Sequence, residues 1–188
     1  MWWLRLKGKH VCPVERAGTL DSRIRRLVQN PYKILKPYIK KNMTVLDIGC
    51  GPGFFSIDMA KIVGSSGRVI AADLQYGMLE KIKNKIKGTK FQERIILHKC
   101  EKDKIGVTKK VDFVLLFYMV HEVPDIELLF KEIGTILKPK GQVFIAEPLF
   151  HVSKQVFENN IKKACNKGLK IVQRPRIFFS KTAVLEKT

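Results

Sequence analysis

The chain has 188 residues, of which 45% are hydrophobic and 28% charged, and its net charge is +19. This length and composition predict one globular domain with a sizeable core and exclude a low-complexity chain. No apolar run reaches the roughly 20 residues of a membrane span, and the apolar start is too short for a secretory signal, so we expect a cytoplasmic protein without a transmembrane segment.

Helices and strands are predicted to alternate along the chain. Two helices come first, over 20–29 and from Pro31, where Asn30 is a good N-cap and proline suits the first helical position. The predicted strands are 43–49, 67–74, 94–100, 111–120, 142–148, 169–175 and 176–187. The other predicted helices are 54–64, 77–88, 125–141 and 153–168. This alternation predicts an α/β fold with a doubly wound, mostly parallel sheet, which binds ligands at the carboxyl ends of its strands.

The stretch VLDIGCGPGFF follows the first predicted strand and contains Gly49, Gly51 and Gly53. Glycines at such a turn let the backbone approach a ligand closely. A dinucleotide-binding turn would read GxGxxG, but here the third glycine comes one residue early. Asp47 precedes the turn, and its carboxylate would repel a diphosphate and attract an ammonium group. The turn therefore suits a cofactor with an amino-acid end.

Asp73 ends the second predicted strand. A carboxylate at this position accepts hydrogen bonds from a pair of ribose hydroxyls, which fits NAD and an adenosyl group equally well. Leu74 and Met78 would offer apolar surface to an adenine ring. The alternative is a solvated acid at the end of a strand.

Four motifs in order resemble those of class I S-adenosylmethionine-dependent methyltransferases, in particular the UbiE-like or type 11 small-molecule group. They are VLDIGCGPG, AADLQYGML, VLLFYMVHEVPD and ILKPKGQVFIAEP, and they span about residues 42–150. The resemblance implies a Rossmann-like, seven-stranded sheet whose last strand is antiparallel. It also implies S-adenosylmethionine as cofactor and S-adenosylhomocysteine as product. Asp47 and the glycine turn, including Cys50, would hold the methionine end, and Asp73 would hold the ribose.

The stretch HKCEKD departs from the resembling family, which has an aspartate facing the adenine amino group at the position of Cys100. A thiol is a poor acceptor for an amino donor. We expect Cys100 and its neighbour Glu101 to form the adenine contact, with Glu101 as the acceptor. The alternative is that Cys100 is a reactive thiol.

The candidate chemistry lies after the fourth predicted strand, in FYMVHEVPD. Phe117 and Tyr118 are expected to line the cofactor or acceptor pocket, with Phe117 among the cofactor-binding residues and Tyr118 among the candidate catalytic residues. His121 is the candidate base, because an unperturbed histidine titrates near neutral pH. The alternative is that His121 only shapes the pocket. Glu147, which ends the fifth strand, is a candidate for the pocket edge, and no histidines or cysteines have the spacing of a metal site.

The charge is concentrated at the two ends of the chain. Residues 1–41 carry 11 basic and 2 acidic residues, and residues 151–188 carry 9 and 2, whereas residues 42–150 carry 16 and 13. We predict a basic, helical lid segment over 1–41 and a methyltransferase domain over 42–188. A basic lid suits an anionic or lipid-like acceptor or RNA, although lysines that simply solvate the surface are an alternative.

The preferred function is methyl transfer to a small organic acceptor. The D/N-P-P-aromatic element typical of methylases that act on base or amide nitrogens is missing after the fourth strand. Three alternatives stay open: an RNA-modifying methyltransferase that uses the basic ends, a dinucleotide-dependent oxidoreductase, and a non-catalytic module that binds the cofactor. The acceptor atom and the oligomeric state have no signature in the sequence.

Overall fold

A computed structural model of the chain describes residues 23–188, so the part of the predicted lid before residue 23 lies outside the described residues. The helices are α1 (Arg23–Val28), α2 (Pro31–Leu35), α3 (Ser56–Val63), α4 (Tyr76–Ile86), α5 (Ile126–Ile136) and α6 (Lys154–Cys165). The strands are β1 (Thr44–Ile48), β2 (Arg68–Asp73), β3 (Ile95–Lys99), β4 (Val111–Phe117), β5 (Leu137–Pro148), β6 (Leu169–Gln173) and β7 (Ser180–Lys187). A short 3₁₀ helix covers Val120–Glu122. Within the described range, no helix is both long enough and apolar enough to span a membrane.

The described strands form one seven-stranded sheet in the order β3-β2-β1-β4-β5-β7-β6. The first five strands in the chain pair in parallel, whereas β7 runs antiparallel to both β5 and β6. This arrangement confirms the predicted Rossmann-like sheet with an antiparallel last strand. The chain order reverses between β1 and β4, which is where sheets of this type bind their ligands.

The central strands are apolar along nearly their whole length because both faces of the sheet are covered. Alternate residues of β1 point to opposite faces, so Leu46 belongs to one core cluster and Val45 to the other. On the face that carries Val45, α2 is part of the core. Leu35, the last residue of α2, is 0% exposed, and Ile39, four residues later, is 1% exposed. The division into a lid of residues 1–41 and a domain of residues 42–188 stays a prediction. Because α2 belongs to the core, α1 is the described helix of this segment that remains a candidate cover for the site.

The start of α2 follows the sequence prediction. The Asn30 side chain accepts a hydrogen bond from the Lys33 backbone N–H at 3.0 Å, and Pro31 opens the helix. This cap satisfies one of the unpaired N–H groups at the helix start. The short helix therefore begins at a defined residue despite its length of 5 residues.

Several predicted boundaries are wrong: β4 ends at Phe117 rather than at residue 120, β5 begins at Leu137 rather than at residue 142, and α6 ends at Cys165 rather than at residue 168. Helix α5 ends at Ile136 rather than at Gly141, and Leu137 already pairs with Val111 of β4. The pairing of Leu137 with Val111 ends the helix, and Pro139 prevents it from continuing beyond this point, because a proline disfavours helical geometry in the residue before it. The last strand begins at Ser180 rather than at residue 176, after Phe179 has adopted a left-handed φ of +55°.

The buried position of Leu35 predicts that α2 contributes to stability. We expect Leu35→Ala to lower the free energy of unfolding by about 2–5 kcal/mol, because the truncation leaves a cavity in the core. Leu27→Ala is the control, since Leu27 on α1 is 86% exposed and should change stability by less than about 0.5 kcal/mol. Urea unfolding followed by circular dichroism measures both. Equal effects would contradict a core role for α2.

Candidate functional site

Asp47 is buried at the carboxyl end of β1, with 2% of its surface exposed. The Ser56 hydroxyl, at the start of α3, donates a hydrogen bond of 2.6 Å to Asp47 Oδ2. Burial is the main reason that the pKa of Asp47 is raised to about 7, although the bond from Ser56 and the charge of Arg25 act in the opposite direction. Asp47 therefore changes its charge close to neutral pH.

The turn after β1 holds the three predicted glycines in conformations that other residues rarely adopt. Their φ values are +68° at Gly49, +53° at Gly51 and +87° at Gly53. The backbone N–H groups of Gly49 and Cys50 donate to the Ala72 carbonyl at 2.9 and 3.1 Å, which ties the turn to β2. A Cβ atom at Gly49 would lie 2.9 Å from the Cβ of Met119, so the close approach also requires glycine.

Asp73 joins this turn to the start of α4. Its Oδ2 accepts from the Gly51 N–H at 2.9 Å and its Oδ1 accepts from the Gln75 N–H at 2.8 Å. The side chain is 7% exposed, and burial raises the pKa of Asp73 while the backbone hydrogen bonds oppose this shift. Each carboxylate oxygen has a second lone pair that can accept a bond from a ligand hydroxyl.

The predicted adenine residues are divided between the interior and the surface. Met78 is 2% exposed, Leu74 is half-buried and Cys100 is 7% exposed, whereas Glu101 is exposed. The Cys100 N–H donates to the Asp73 carbonyl at 2.9 Å. Burial raises the pKa of the Cys100 thiol to about 12, so the thiol keeps its proton at neutral pH and lacks the thiolate of a reactive cysteine.

Aromatic rings follow β4. Phe117 is 7% exposed, and its ring centroid lies 4.3 Å from that of Phe55 and 4.5 Å from that of Tyr118. Tyr118 has a left-handed φ of +61°. Its hydroxyl accepts from Gln29 Nε2 at 2.5 Å and shares a hydrogen bond of 2.6 Å with the Ser180 hydroxyl. Tyr118 thus connects the site to α1 and β7.

His121 and Glu147 form a close pair at the ends of β4 and β5. The Nδ1 atom of His121 lies 2.5 Å from Glu147 Oε2, and Glu147 Oε1 accepts from the Val120 N–H at 2.9 Å. Burial lowers the pKa of His121, but the hydrogen bond and charge of Glu147 outweigh it and the pKa is raised overall. A carboxylate at Nδ1 keeps the hydrogen there, so Nε2 is the ring atom that accepts a proton.

Arg25 on α1 and Gln29, directly after this helix, also reach the site, and neither is among the residues predicted from the sequence. The Arg25 guanidinium carbon lies 4.3 Å from the ring centroid of Phe54 and 5.7 Å from that of Phe117. Arg25 Nε donates to the Gln29 side chain at 3.2 Å, and the two residues are four positions apart in the sequence. That spacing is the one sequence signal that links Arg25 to Gln29, since no motif distinguishes Arg25 from the other basic residues near it.

A family model described as a methyltransferase domain matches residues 39–181. The chain belongs to this methyltransferase domain family. The match begins four residues after α2 and ends in β7, so it includes Asp47, Asp73, the glycine turn and the His121–Glu147 pair.

Curated proteins with similar sequences come from several bacteria. The chain is 37% identical to the demethylmenaquinone methyltransferase of Lactobacillus johnsonii over 117 residues, which are 62% of this chain and 47% of that protein. It is 32% identical to the demethylmenaquinone methyltransferase of Staphylococcus aureus over 123 residues, which are 63% and 50% of the two proteins. The chain thus spans about half the length of the curated relatives it matches.

A solved structure described as a SAM-dependent methyltransferase from Aquifex aeolicus has a similar fold. The TM-score is 0.81 at 23% sequence identity, and the match covers 93% of this chain and 98% of that one. At this identity the likeness concerns the fold. Together, the family match and this fold confirm the methyltransferase family and the Rossmann-like sheet that the motifs predict.

The pairing of His121 with Glu147 predicts the effect of removing one charge. We expect Glu147→Gln to lower the pKa of His121 below the ordinary value of about 6.5, because burial then dominates. The amide can still accept from the Val120 N–H, so the local fold should persist. Titration of the histidine ring by NMR measures the shift.

Glu122→Gln is the matched control, since Glu122 Oε1 lies 4.0 Å from His121 Nε2. We expect a smaller decrease in the pKa of His121 from this variant. A larger effect from Glu122→Gln than from Glu147→Gln would contradict the assignment of Glu147 as the main partner.

Proposed function

We propose that this methyltransferase domain binds S-adenosylmethionine and transfers its methyl group to a small, quinone-type acceptor. The observation that carries the proposal is the pair of buried carboxylates, Asp47 and Asp73, on either side of the glycine turn. The acceptor class is taken from the curated relatives, which are named demethylmenaquinone methyltransferases. RNA is the alternative acceptor class, and the activity test below compares it with the hydroquinone.

The residues around the turn fit the chemistry of the cofactor. Asp47 would pair with the ammonium group, and the backbone at Gly49, Cys50 and Gly51 could approach the methionine end without a side-chain clash. Asp73 would accept from the ribose hydroxyls with its remaining lone pairs. Buried charges are stable only when they are paired, so a cation beside Asp47 would favour its ionised form.

The adenine ring would lie against Leu74 and Met78, with the protonated Cys100 thiol as part of the wall. This role is consistent with the burial of Met78 and Cys100, which are 2% and 7% exposed. Glu101 would supply the acceptor for the adenine amino group from the exposed side of the pocket. Phe117 would lie between this pocket and the acceptor.

His121 would serve as the base in the transfer. When bound, the cofactor supplies a methyl group on a positively charged sulfur. In the transfer the carbon–sulfur bond breaks, the acceptor carbon forms the new bond, and the hydrogen of that carbon leaves as a proton. His121 Nε2 would accept this proton, and the adjacent Glu147 carboxylate would stabilise the imidazolium. A quinone ring is electron-poor, so the acceptor must be its reduced, hydroquinone form.

Helix α1 would cover the bound ligands. Its contacts with the domain include the Arg25 stack on Phe54 and an ion pair of 2.6 Å between Arg26 and Asp58, and Gln29, directly after the helix, bonds to Tyr118. We assign Tyr118 to the acceptor side of the pocket, where its hydroxyl holds α1 in place. Closure of a site in this way excludes water from the reacting groups.

The pKa of Asp47 predicts a pH dependence of cofactor binding. Asp47 is neutral below about pH 7 and ionised above it. Because an ammonium group prefers the carboxylate, the affinity for S-adenosylmethionine should rise from pH 6 to pH 8, with proton release on binding below pH 7. Calorimetric titration in buffers of different ionisation enthalpy measures both quantities.

Two controls isolate Asp47 in this experiment. Asp47→Asn should bind S-adenosylmethionine more weakly and without the pH dependence. Methylthioadenosine, which lacks the amino-acid end, should bind the unmodified protein equally well at both pH values. Asp47 would not be the ammonium site if its replacement left the pH dependence intact.

The activity test uses a short-chain demethylmenaquinone that has been reduced to its hydroquinone. We expect methylated product by mass spectrometry, and we expect His121→Ala to lower kcat by about 10²-fold or more while cofactor affinity stays within about twofold. Added imidazole should restore part of the rate if His121 transfers a proton. Methylation of RNA and not of the hydroquinone would overturn the acceptor class, and normal turnover by His121→Ala would overturn the role of His121.

A further inference from the structure

Four large apolar side chains are exposed together where β5 ends and β7 begins. Leu149, Phe150, Phe178 and Phe179 are 42%, 85%, 55% and 52% exposed, and we call them the aromatic cluster. The ring centroids of Phe150 and Phe179 are 5.7 Å apart, and those of Phe178 and Phe179 are 4.0 Å apart. The Leu149 N–H donates to the Phe179 carbonyl at 2.9 Å. The cluster is therefore one continuous apolar surface.

The backbone of the aromatic cluster is fixed by the residues of the candidate site. Gln29 Nε2 donates to the Phe178 carbonyl at 3.1 Å, and the Tyr118 hydroxyl donates to the Phe179 carbonyl at 3.4 Å. Pro148 pairs with Ser180 across the β5–β7 ladder. Phe179 is held at a φ of +55°, which is unusual for a residue with a bulky side chain. The exposed rings thus stand on a defined backbone next to the acceptor side of the pocket.

Basic residues surround the aromatic cluster. Beside Leu149 is a groove of about 280 Å³ that is also lined by Lys154, Arg174 and Lys181. Arg174 makes two bonds to Glu158, at 2.9 and 2.7 Å, and Lys181 Nζ donates to the Leu149 carbonyl at 2.5 Å. Two residues beyond Arg174 lies Arg176, which is also exposed.

A contiguous exposed apolar surface in a globular domain marks an interaction site. Aromatic side chains flanked by lysine and arginine match a lipid bilayer with anionic headgroups, since the rings enter the interface and the cations meet the phosphates. RNA would also meet the cations. Its bases could stack on the three phenylalanine rings, but it also requires a basic groove that follows its backbone. The groove beside Leu149 contains the acidic Glu158, which pairs with Arg174. This surface, with the aliphatic Leu149 among the rings, therefore favours a bilayer.

We propose that the aromatic cluster docks the protein on the surface of an anionic membrane. Phe150 and Phe178 enter the interface, and Lys154 and Arg176 lie over the lipid phosphates. Docking would place the acceptor side of the pocket at the bilayer. The link between docking and methyl transfer rests on the proposed function, because a menaquinone-type acceptor is apolar and partitions into lipid. The docking itself does not rest on the proposed function.

Flotation with lipid vesicles tests the proposal. We expect the protein to float with vesicles of phosphatidylcholine and phosphatidylglycerol, to float less with phosphatidylcholine alone, and to be released by added salt. Phe150→Ser combined with Phe178→Ser should lower the partition coefficient by about tenfold or more, because two apolar side chains no longer enter the interface. Lys154→Glu combined with Arg176→Glu should lower binding to the anionic vesicles only.

Ile96→Thr is the matched control, because Ile96 is 42% exposed on β3, at the opposite edge of the sheet from β6. It should bind vesicles like the unmodified protein. Phe179→Asn is a second cluster variant, since asparagine tolerates a left-handed φ, and it should also weaken binding. Failure to bind anionic vesicles, or equal binding by the double-serine variant and the control, would overturn the proposal. The proposal would also be overturned if the protein bound RNA and not vesicles, and if the serine substitutions abolished the binding of RNA.

The same variants separate docking from catalysis. On the soluble hydroquinone, the double-serine variant should keep its kcat and its affinity for S-adenosylmethionine. Turnover without vesicle binding would overturn the docking proposal and leave the proposed function standing. Vesicle binding without turnover would support the docking proposal while counting against the proposed function.

Discussion

The burial of two carboxylates at the ends of adjacent strands is the constraint on which the site depends. The parallel register aligns Asp47 with Ala71, so the two strands present Asp47 and Asp73 at the same edge of the sheet. Burial raises the pKa of both groups. The surrounding structure opposes this cost with hydrogen bonds, from the Ser56 hydroxyl to Asp47 and from two backbone N–H groups to Asp73. A protein gains little stability from such an arrangement, which is consistent with its use for ligand binding.

The site is divided between two pairs of strands. The ends of β1 and β2 carry the acidic, glycine-rich half, and the ends of β4 and β5 carry the His121–Glu147 half. Helix α1 contacts both halves, because Arg25 lies over Phe54 and Phe117, and Gln29, directly after the helix, bonds to Tyr118. One short helix of 6 residues therefore links the part of the site that holds charge to the part that accepts a proton.

The sequence predicts the parts of this structure that depend on local patterns. Buried parallel strands are continuous apolar runs, so β1, β2 and β4 could be predicted each from its own stretch of sequence, and the three glycines after β1 predict the turn. The end of α5 was wrong because the pairing of Leu137 with Val111 is a contact between elements. The link between Glu147 and His121 joins residues 26 positions apart, and that between Gln29 and Tyr118 joins residues 89 apart. No periodicity within a helix or strand encodes such contacts, so the partners of a site are harder to predict than its motifs.

The position of β7 between β5 and β6 has a consequence for folding. Strand β6 precedes β7 in the chain, yet its partner in the sheet is β7. It therefore cannot join the sheet until β7 has paired with β5, with Pro148 opposite Ser180 and Gln142 opposite Glu186. Such non-local pairing is slow relative to the formation of helices and local turns. The β6–β7 pair can form earlier as a local hairpin, so until that hairpin joins the sheet the facing edges of β5 and β7 are unpaired, which leaves this late step open to association between chains.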